Sequence, residues 1–360
     1  MYITLKNPLD MHLHLRDDLI LQAVVPFSAR SFVGGVIMPN LAPPITSLNA
    51  AIAYRQRIQA VLDSARGNAS TSDDLRFVPF CALYITDTLT PKELESCAKE
   101  GFRLLKLYPK GATTNSDYGV AEVISPNMRR LFSAAQEFGM IVCIHGESAG
   151  FSLEREHQFG LVFEELARSY PHLKIIIEHM SDRRTIPLLE SYENLYATLT
   201  LHHITMHLDN VVGGQLCCHH FCKPVLKTPQ DTQALLELAL QAHKKVSFGS
   251  DSAPHTLESK LNGAAGIFSA PCLLPQLAEL FETYGALENL QAFVSDNAMR
   301  IYDVFAWCDE MRPYQHSPKE ITLKKVDSFI PEAIYLAESK RNDTTLIPLK
   351  AGKKVSWQEI

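Results

Sequence analysis

His12 and His14 stand two residues apart in DMHLHLRDD (residues 10–18), where they alternate with Leu13 and Leu15. On a β-strand, alternate side chains share a face, so both imidazoles point the same way about one pleat apart. That spacing suits two ligands on one metal ion, with the leucines packed outward. Alone, the pair is a weak signal, because histidines alternate by chance. His145 in IVCIHGE and His179 in IIIEHMS each close a mostly apolar run. A lone histidine there reads first as a hydrogen-bonded core residue. The set is more telling than its members. His12, His14, His145, His179 and the Asp251 of FGSDSAPH all stand at the ends of apolar segments. Imidazoles and a carboxylate gathered at one place are the donors of a hydrolytic metal site.

Lys106 is the oddity in this set. FRLLKLYP places an ammonium inside an apolar segment, where a free cation would suffer desolvation and repel divalent ions. Two readings are open. The side chain can snorkel to the rim. Alternatively its amine has reacted with carbon dioxide, and the resulting N6-carboxylysine bridges two metals as a carboxylate. Burial favours the neutral amine that this reaction needs.

Positioning such a set requires an ordered series of strands. Apolar or β-branched runs occur at 9–15, 35–38, 77–84, 102–107, 141–145, 174–179, 195–201 and 245–250. Helical spacing fills 47–65, 91–100, 126–138, 154–169, 185–191 and 229–243, and 19–29 could form a helix kinked at Pro26. Thr90, Pro91 and Glu93 mark one helix start, and Ser125 and Pro126 another. Eight strands alternating with helices imply parallel pairing and a (β/α)8 TIM barrel of α/β class, a single domain over 1–360. An open doubly wound sheet is the competitor, without a glycine fingerprint after the first strand to favour it. In a barrel the C-terminal strand ends converge on one mouth, bringing Asn40 and Arg16 to the same place. Residues beyond about 270 read as helices, and the strand-like pieces of 321–357 as an extension packed outside.

Bulk properties exclude other classes. The chain has 360 residues, is 46% hydrophobic and carries a formal net charge of −6. It lacks the basic runs of a nucleic-acid surface. The N-terminal segment is not patterned as a secretory signal, and no apolar run is long enough for a membrane span. The eight cysteines fit reduced thiols in a cytoplasmic protein. Cys217, Cys218, His219, His220 and Cys222 resemble a zinc cluster in composition, but adjacent ligands in one short segment do not fit paired-knuckle spacing. His202, His203 and His207 read as rim or supporting residues after the seventh strand.

HLHLRD, MPNLAPP, KLYPKGATTNSDYGV, HGE, EHMS and SDSAPH occur in this order. They resemble the motifs of the dihydroorotase family in the amidohydrolase superfamily, more narrowly its shorter bacterial type. The resemblance runs from about residue 10 to 270, with a further match in DTTLIPLKAGKKVSW. It implies reversible cyclisation of N-carbamoyl-L-aspartate to L-dihydroorotate in pyrimidine biosynthesis. It also implies two Zn2+ per subunit. His12, His14 and Asp251 would hold one ion and His145 and His179 the other, with carboxylated Lys106 bridging. Asp251 would shuttle the proton. Arg16, Asn40 and His255 would grip the substrate carboxylate with His14 alongside, and main-chain groups near Lys223 and Ala265 would hold the pyrimidine edge. Thr113 and Thr114 would belong to a mobile loop. The partner implied is a small molecule, with no nucleic acid or membrane, and a homodimer is allowed. The segment GGQLCCHHFCKP departs from the family pattern, with Lys223 where a leucine is usual, which leaves contacts there open. A hydantoinase-like cyclic amidase, a deaminase or an inactive scaffold relative are the rival functions.

Overall fold

A computed structural model of the chain describes residues 1–68, 75–337 and 340–360. A first strand, β1 (Tyr2–Lys6), precedes those that the apolar runs form: β2 (Leu9–Leu13), β3 (Gly34–Ile37), β4 (Val78–Cys81), β5 (Leu83–Tyr84), β6 (Leu104–Leu107), β7 (Ile141–Ile144), β8 (Lys174–Ile177), β9 (Leu195–Leu199) and β10 (Val246–Phe248). Between them lie α1 (Asp18–Ser31), α2 (Leu48–Asn68), α3 (Pro91–Lys99), α4 (Pro126–Glu137), α5 (Arg155–Ser169), α6 (Ile186–Ser191), α7 (Asp209–Val212) and α8 (Pro229–Leu240).

β2, β3 and β4 pair in parallel, and β5 to β10 pair in parallel in chain order. Two joints close these sheets into the (β/α)8 barrel. At the first, the strand expected over 77–84 passes from one neighbour to the other. Ala82 N donates to Ile37 O at 3.1 Å, and Ile85 N donates to Lys106 O at 2.9 Å. At the second, Asp251 N donates to His12 O at 2.8 Å and His14 N to Ser252 O at 2.9 Å. Closure excludes the open doubly wound sheet, and the second joint sets Asp251 beside His12 of β2 and His14 just past its end.

Gly249 makes that joint possible. A Cβ there would lie 3.0 Å from the Cβ atoms of both His12 and Thr198 and 3.1 Å from His12 N. Backbone-held neighbours cannot yield cheaply. Gly249→Ala is expected to cost about 1–3 kcal/mol by overpacking, read as a lower denaturation midpoint, and to reduce turnover by displacing His12. An unchanged midpoint would show that the seam has slack.

The helix starts follow local rules. Thr90 Oγ1 accepts from Glu93 N, with Pro91 in the first turn, and Ser125 caps α4 in the same way. Glu93 does not return its carboxylate to Thr90 as a capping box would. It accepts from Leu48 N at 2.7 Å and so caps α2 instead. A full capping box forms at Thr228 and Asp231 ahead of α8. α1 runs through Pro26, and the helix expected over 185–191 begins as a 3-10 turn at Arg183–Thr185.

After β10 come α9 (Leu257–Leu261), α10 (Leu273–Thr283) and shorter helical turns. The tail forms β11 (Glu320–Phe329), β12 (Ile334–Tyr335), β13 (Thr345–Leu346) and β14 (Lys354–Glu359). β1, unanticipated from the sequence, pairs antiparallel with β11, which pairs with β14. This sheet lies on α10, where buried Trp357 donates from Nε1 to Glu282 Oε2 at 3.0 Å.

Candidate active site

The cavity at the C-terminal ends of the barrel strands is lined by His12, His14, Arg16, Asn40, Tyr108, Thr113, Thr114, His145, His179, Lys223, Asp251, Ala253, Ala265 and Gly266. Its free volume is about 20 Å³, room for little more than one water. Lys106 and His255 stand behind these residues. The Lys106 Nζ lies 4.9 Å from the centroid of the Tyr108 ring, and His255 lies against Arg16.

Three of the wall residues sit in left-handed backbone: Arg16 at φ 59°, His179 at φ 40° and Asp251 at φ 43°. Such conformations are strained for non-glycine residues and concentrate at functional sites. Here each turns a side chain inward just past the end of a strand. β2 ends at Leu13, so Arg16 does not share a strand face with His14 as the periodicity suggests. It reaches the cavity through the turn at its own backbone.

The donors fall into two groups. His12 Nε2 lies 3.4 Å and His14 Nε2 3.0 Å from Asp251 Oδ1. His145 Nδ1 lies 3.2 Å from His179 Nε2. The opposite ring nitrogens of His12, His14 and His145 are held in place, while His179 Nδ1 has no hydrogen-bond partner among the described residues. His12 Nδ1 is 2.7 Å from Glu178 Oε2, His14 Nδ1 is 2.8 Å from Asn40 Oδ1, and His145 Nε2 is 2.9 Å from Glu147 Oε2. Each imidazole donating its N–H to one of these oxygens leaves its other nitrogen with a free lone pair aimed into the cavity. A tetrahedral zinc site with Zn–N distances of about 2.0–2.1 Å sets adjacent donor atoms about 3.3 Å apart. The observed separations match that edge, and His12, His179 and Asp251 also converge on one another within 4.8 Å.

Burial disfavours the protonated forms of His14, His145 and His179, while the acid stays ionised. Burial, with Arg16 nearby, pushes His14 down to about 4. Burial likewise depresses His145 and His179. It would raise Asp251 too, but the charges of His12 and His14 and the His14 hydrogen bond hold that carboxyl well below its usual range. Glu178 is treated similarly: burial pushes up, while His12, Lys106 and the Thr198 hydroxyl at 2.6 Å hold it down.

Lys106 does not snorkel. The residue is 0% exposed, and its Nζ has no hydrogen-bond partner among the described residues. Burial pushes its pKa down, opposed by Glu178, Cys143 and Asp251.

The remaining expected residues form a polar cap. Arg16 donates from Nε to Pro254 O at 3.2 Å, and its Nη2 lies 3.0 Å from His255 Nε2. Asn40 Nδ2 donates to Thr114 O at 3.1 Å, and Thr114 Oγ1 donates to Ala265 O at 3.2 Å. The loop carrying Thr113 and Thr114 therefore rests on both walls. Lys223 lines the opposite side. His202 and His203 are buried and do not line the cavity, which leaves the supporting place of the two expected and not the rim. Tyr108, Glu147, Glu178 and Thr198 were missed by sequence reasoning. Glu147 and Glu178 stand within HGE and EHMS, beside the histidines they serve.

The amidohydrolase family model matches residues 9–304. A Helicobacter hepaticus protein named dihydroorotase is 49% identical over 359 residues, covering 99% of this chain and 97% of that protein. The solved dihydroorotase of Campylobacter jejuni is 39% identical with a TM-score of 0.87, covering 99% of this chain and 97% of that one. A Saccharomyces cerevisiae dihydroorotase, solved in complex with 5-fluoroorotic acid, is 32% identical with a TM-score of 0.88, covering 100% and 98%.

Proposed function

The chain belongs to the amidohydrolase family and, within it, to the dihydroorotases, and from there we propose how its residues close N-carbamoyl-L-aspartate to L-dihydroorotate, a step of pyrimidine biosynthesis, and reopen the ring. One observation carries the assignment of roles. A fully buried lysine amine without a hydrogen-bond partner among the described residues lies within electrostatic reach of His145, His179, Glu178 and Asp251. As an ammonium it would repel cations and lack solvation. Reaction of the neutral amine with carbon dioxide gives a carbamate and one released proton, replacing a cation with an anion that carries two donor oxygens. His12, His14 and Asp251 would then hold one Zn2+, His145 and His179 a second, and carboxylated Lys106 both. When bound, such a pair of ions lowers the pKa of water and polarises an amide carbonyl.

The chain's own residues supply the proton path and the orientation. In the hydrolytic direction the ionised Asp251 takes the proton of the attacking water at a carboxylate oxygen. It returns that proton to the ring nitrogen as the C–N bond breaks. In the cyclising direction the same oxygen runs the transfer backwards. Glu178 and Glu147 hold His12 and His145 in the tautomers that leave the inward nitrogens unprotonated. Asn40 does the same for His14. The Thr113–Thr114 loop would withdraw to admit substrate, since the closed cavity is too small for it, and its return would exclude water. All eight cysteines are free thiols, which supports a reducing, cytoplasmic setting.

Arg16, Asn40 and His255 would grip the substrate's ring carboxylate. The yeast relative's ligand, 5-fluoroorotic acid, carries the same pairing of a pyrimidine ring and a carboxylate. A planar guanidinium can donate two parallel hydrogen bonds to such a group. Hydrogen bonds to a charged group contribute roughly 1.5–3 kcal/mol, or about one to two decades at 1.4 kcal/mol per decade. Arg16→Met should lower kcat/KM for dihydroorotate by about that factor and cost much less for dihydrouracil, which lacks the carboxylate. Equal losses on both substrates would mean that Arg16 shapes the donor set and does not read the substrate. A hydantoinase-like enzyme needs no such anion grip.

A further inference from the structure

His202 and His203 follow β9, and Cys222 sits on the loop before α8; all three are buried and outside the lining of the catalytic cavity. His202 is 0% exposed, and neither its Nδ1 nor its Nε2 has a partner among the described residues. A neutral imidazole carries one donor and one acceptor, and burying both unpaired is unfavourable. The three side chains each offer a ligand atom, and those atoms lie within 4.8 Å of one another. His203 Nε2 and Cys222 Sγ both donate to the carbonyl oxygen of Pro224, at 3.1 and 3.3 Å, hydrogen bonds that a bound cation would replace. His203 Nδ1 lies 2.9 Å from Thr200 Oγ1. Moving the His203 ring proton from Nε2, where Pro224 O accepts it, to Nδ1, where the hydroxyl can accept it, frees an Nε2 lone pair, the usual way a neighbouring oxygen orients a histidine ligand.

We propose that His202, His203 and Cys222 form a third cation site, distinct from the catalytic pair, for a zinc-like divalent ion. Two imidazoles and a thiolate are borderline-soft donors that suit Zn2+ or Co2+ and not Mg2+ or Ca2+. Binding forms one metal–sulfur and two metal–nitrogen bonds and releases the Cys222 thiol proton to solvent. Cys217, Cys218, His219 and His220 stay partly or fully exposed to solvent, so the segment does not form a cluster of its own. Its one buried cysteine is drawn to two histidines from a different loop. The ion would tie the loop after β9 to Cys222, the residue before Lys223, and so fix one wall of the catalytic cavity.

The test is cobalt substitution of the purified full-length protein, read by near-ultraviolet absorption. Thiolate-to-cobalt charge transfer gives a band that the nitrogen and oxygen donors of the catalytic set cannot produce. The band should appear in the wild type and in Cys217→Ser and Cys218→Ser. It should disappear in Cys222→Ser and in His202→Asn, which keeps the thiol and guards against misfolding of the serine variant. Each of these two variants should hold one cobalt fewer per chain. A folded wild type without the band, a band that survives Cys222→Ser, or one lost in Cys217→Ser or Cys218→Ser would overturn the proposal. The band should persist in Lys106→Met, so failure of the bridged catalytic pair and failure of this site are read separately.

Discussion

Lys106→Ala should lower dihydroorotate turnover by at least about 10³-fold, more than the roughly 10²–10³ that loss of a single charge-stabilising donor costs. The reason is geometric. A carboxylated Lys106 would offer one donor oxygen to each group, so its removal takes away the anion shared by His12, His14 and Asp251 on one side and His145 and His179 on the other. Zinc content should fall with activity. Alanine also leaves a void beside the Tyr108 ring, so Lys106→Met, which keeps the volume, is the sharper variant. Methionine carries no buried amine to desolvate. In metal-stripped protein Lys106→Met should therefore be at least as stable as wild type in chemical denaturation while turnover is still lost. Small carboxylic acids should restore part of the activity of Lys106→Ala by filling the gap. Wild-type turnover in Lys106→Met would remove the carbamate from the account.

Asp251→Asn should lower kcat by roughly 10²-fold or more, the usual scale for a general acid–base group, with a much smaller change in KM. Asparagine is the right replacement because Asp251 sits at φ 43°, a conformation that asparagine tolerates and most residues do not. It keeps the shape and one oxygen that can face His12 and His14. It cannot hold the transferred proton. The seam bond from the residue 251 N–H to His12 O is a backbone contact and survives the change. A loss confined to KM would assign Asp251 to binding and take away the proposed proton path.

The barrel was legible because strands covered on both faces are uninterrupted apolar runs, as IVCI and KIII are here. Caps at Thr90 and Ser125 were legible for the same local reason. β1 was not, because its partner β11 comes from the far end of the chain and local pattern carries no pairing information. Glu178 shows the other limit. Strand alternation would put it on the face opposite His179. The left-handed backbone at His179 breaks that alternation, so Glu178 meets His12 while His179 meets His145. Arg16 was legible as a residue just past a strand end, but the left-handed turn that aims it inward was not, since β2 has already ended at Leu13. The buried pairing of Cys222 with His202 and His203 was hidden because those residues lie on separate loops that only the fold brings together.

The central claim is that Lys106 acts as a carbamate joining two ions. Its most direct test is reconstitution of chelator-stripped protein with Zn2+ and 13C-bicarbonate, followed by 13C NMR and dihydroorotate hydrolysis on the same sample. A carbamate at Lys106 gives a carbon signal that is absent from Lys106→Met, and activity should return only when zinc and bicarbonate are both supplied. Full activity regained in carbon-dioxide-free buffer, with no carbamate signal, would contradict it.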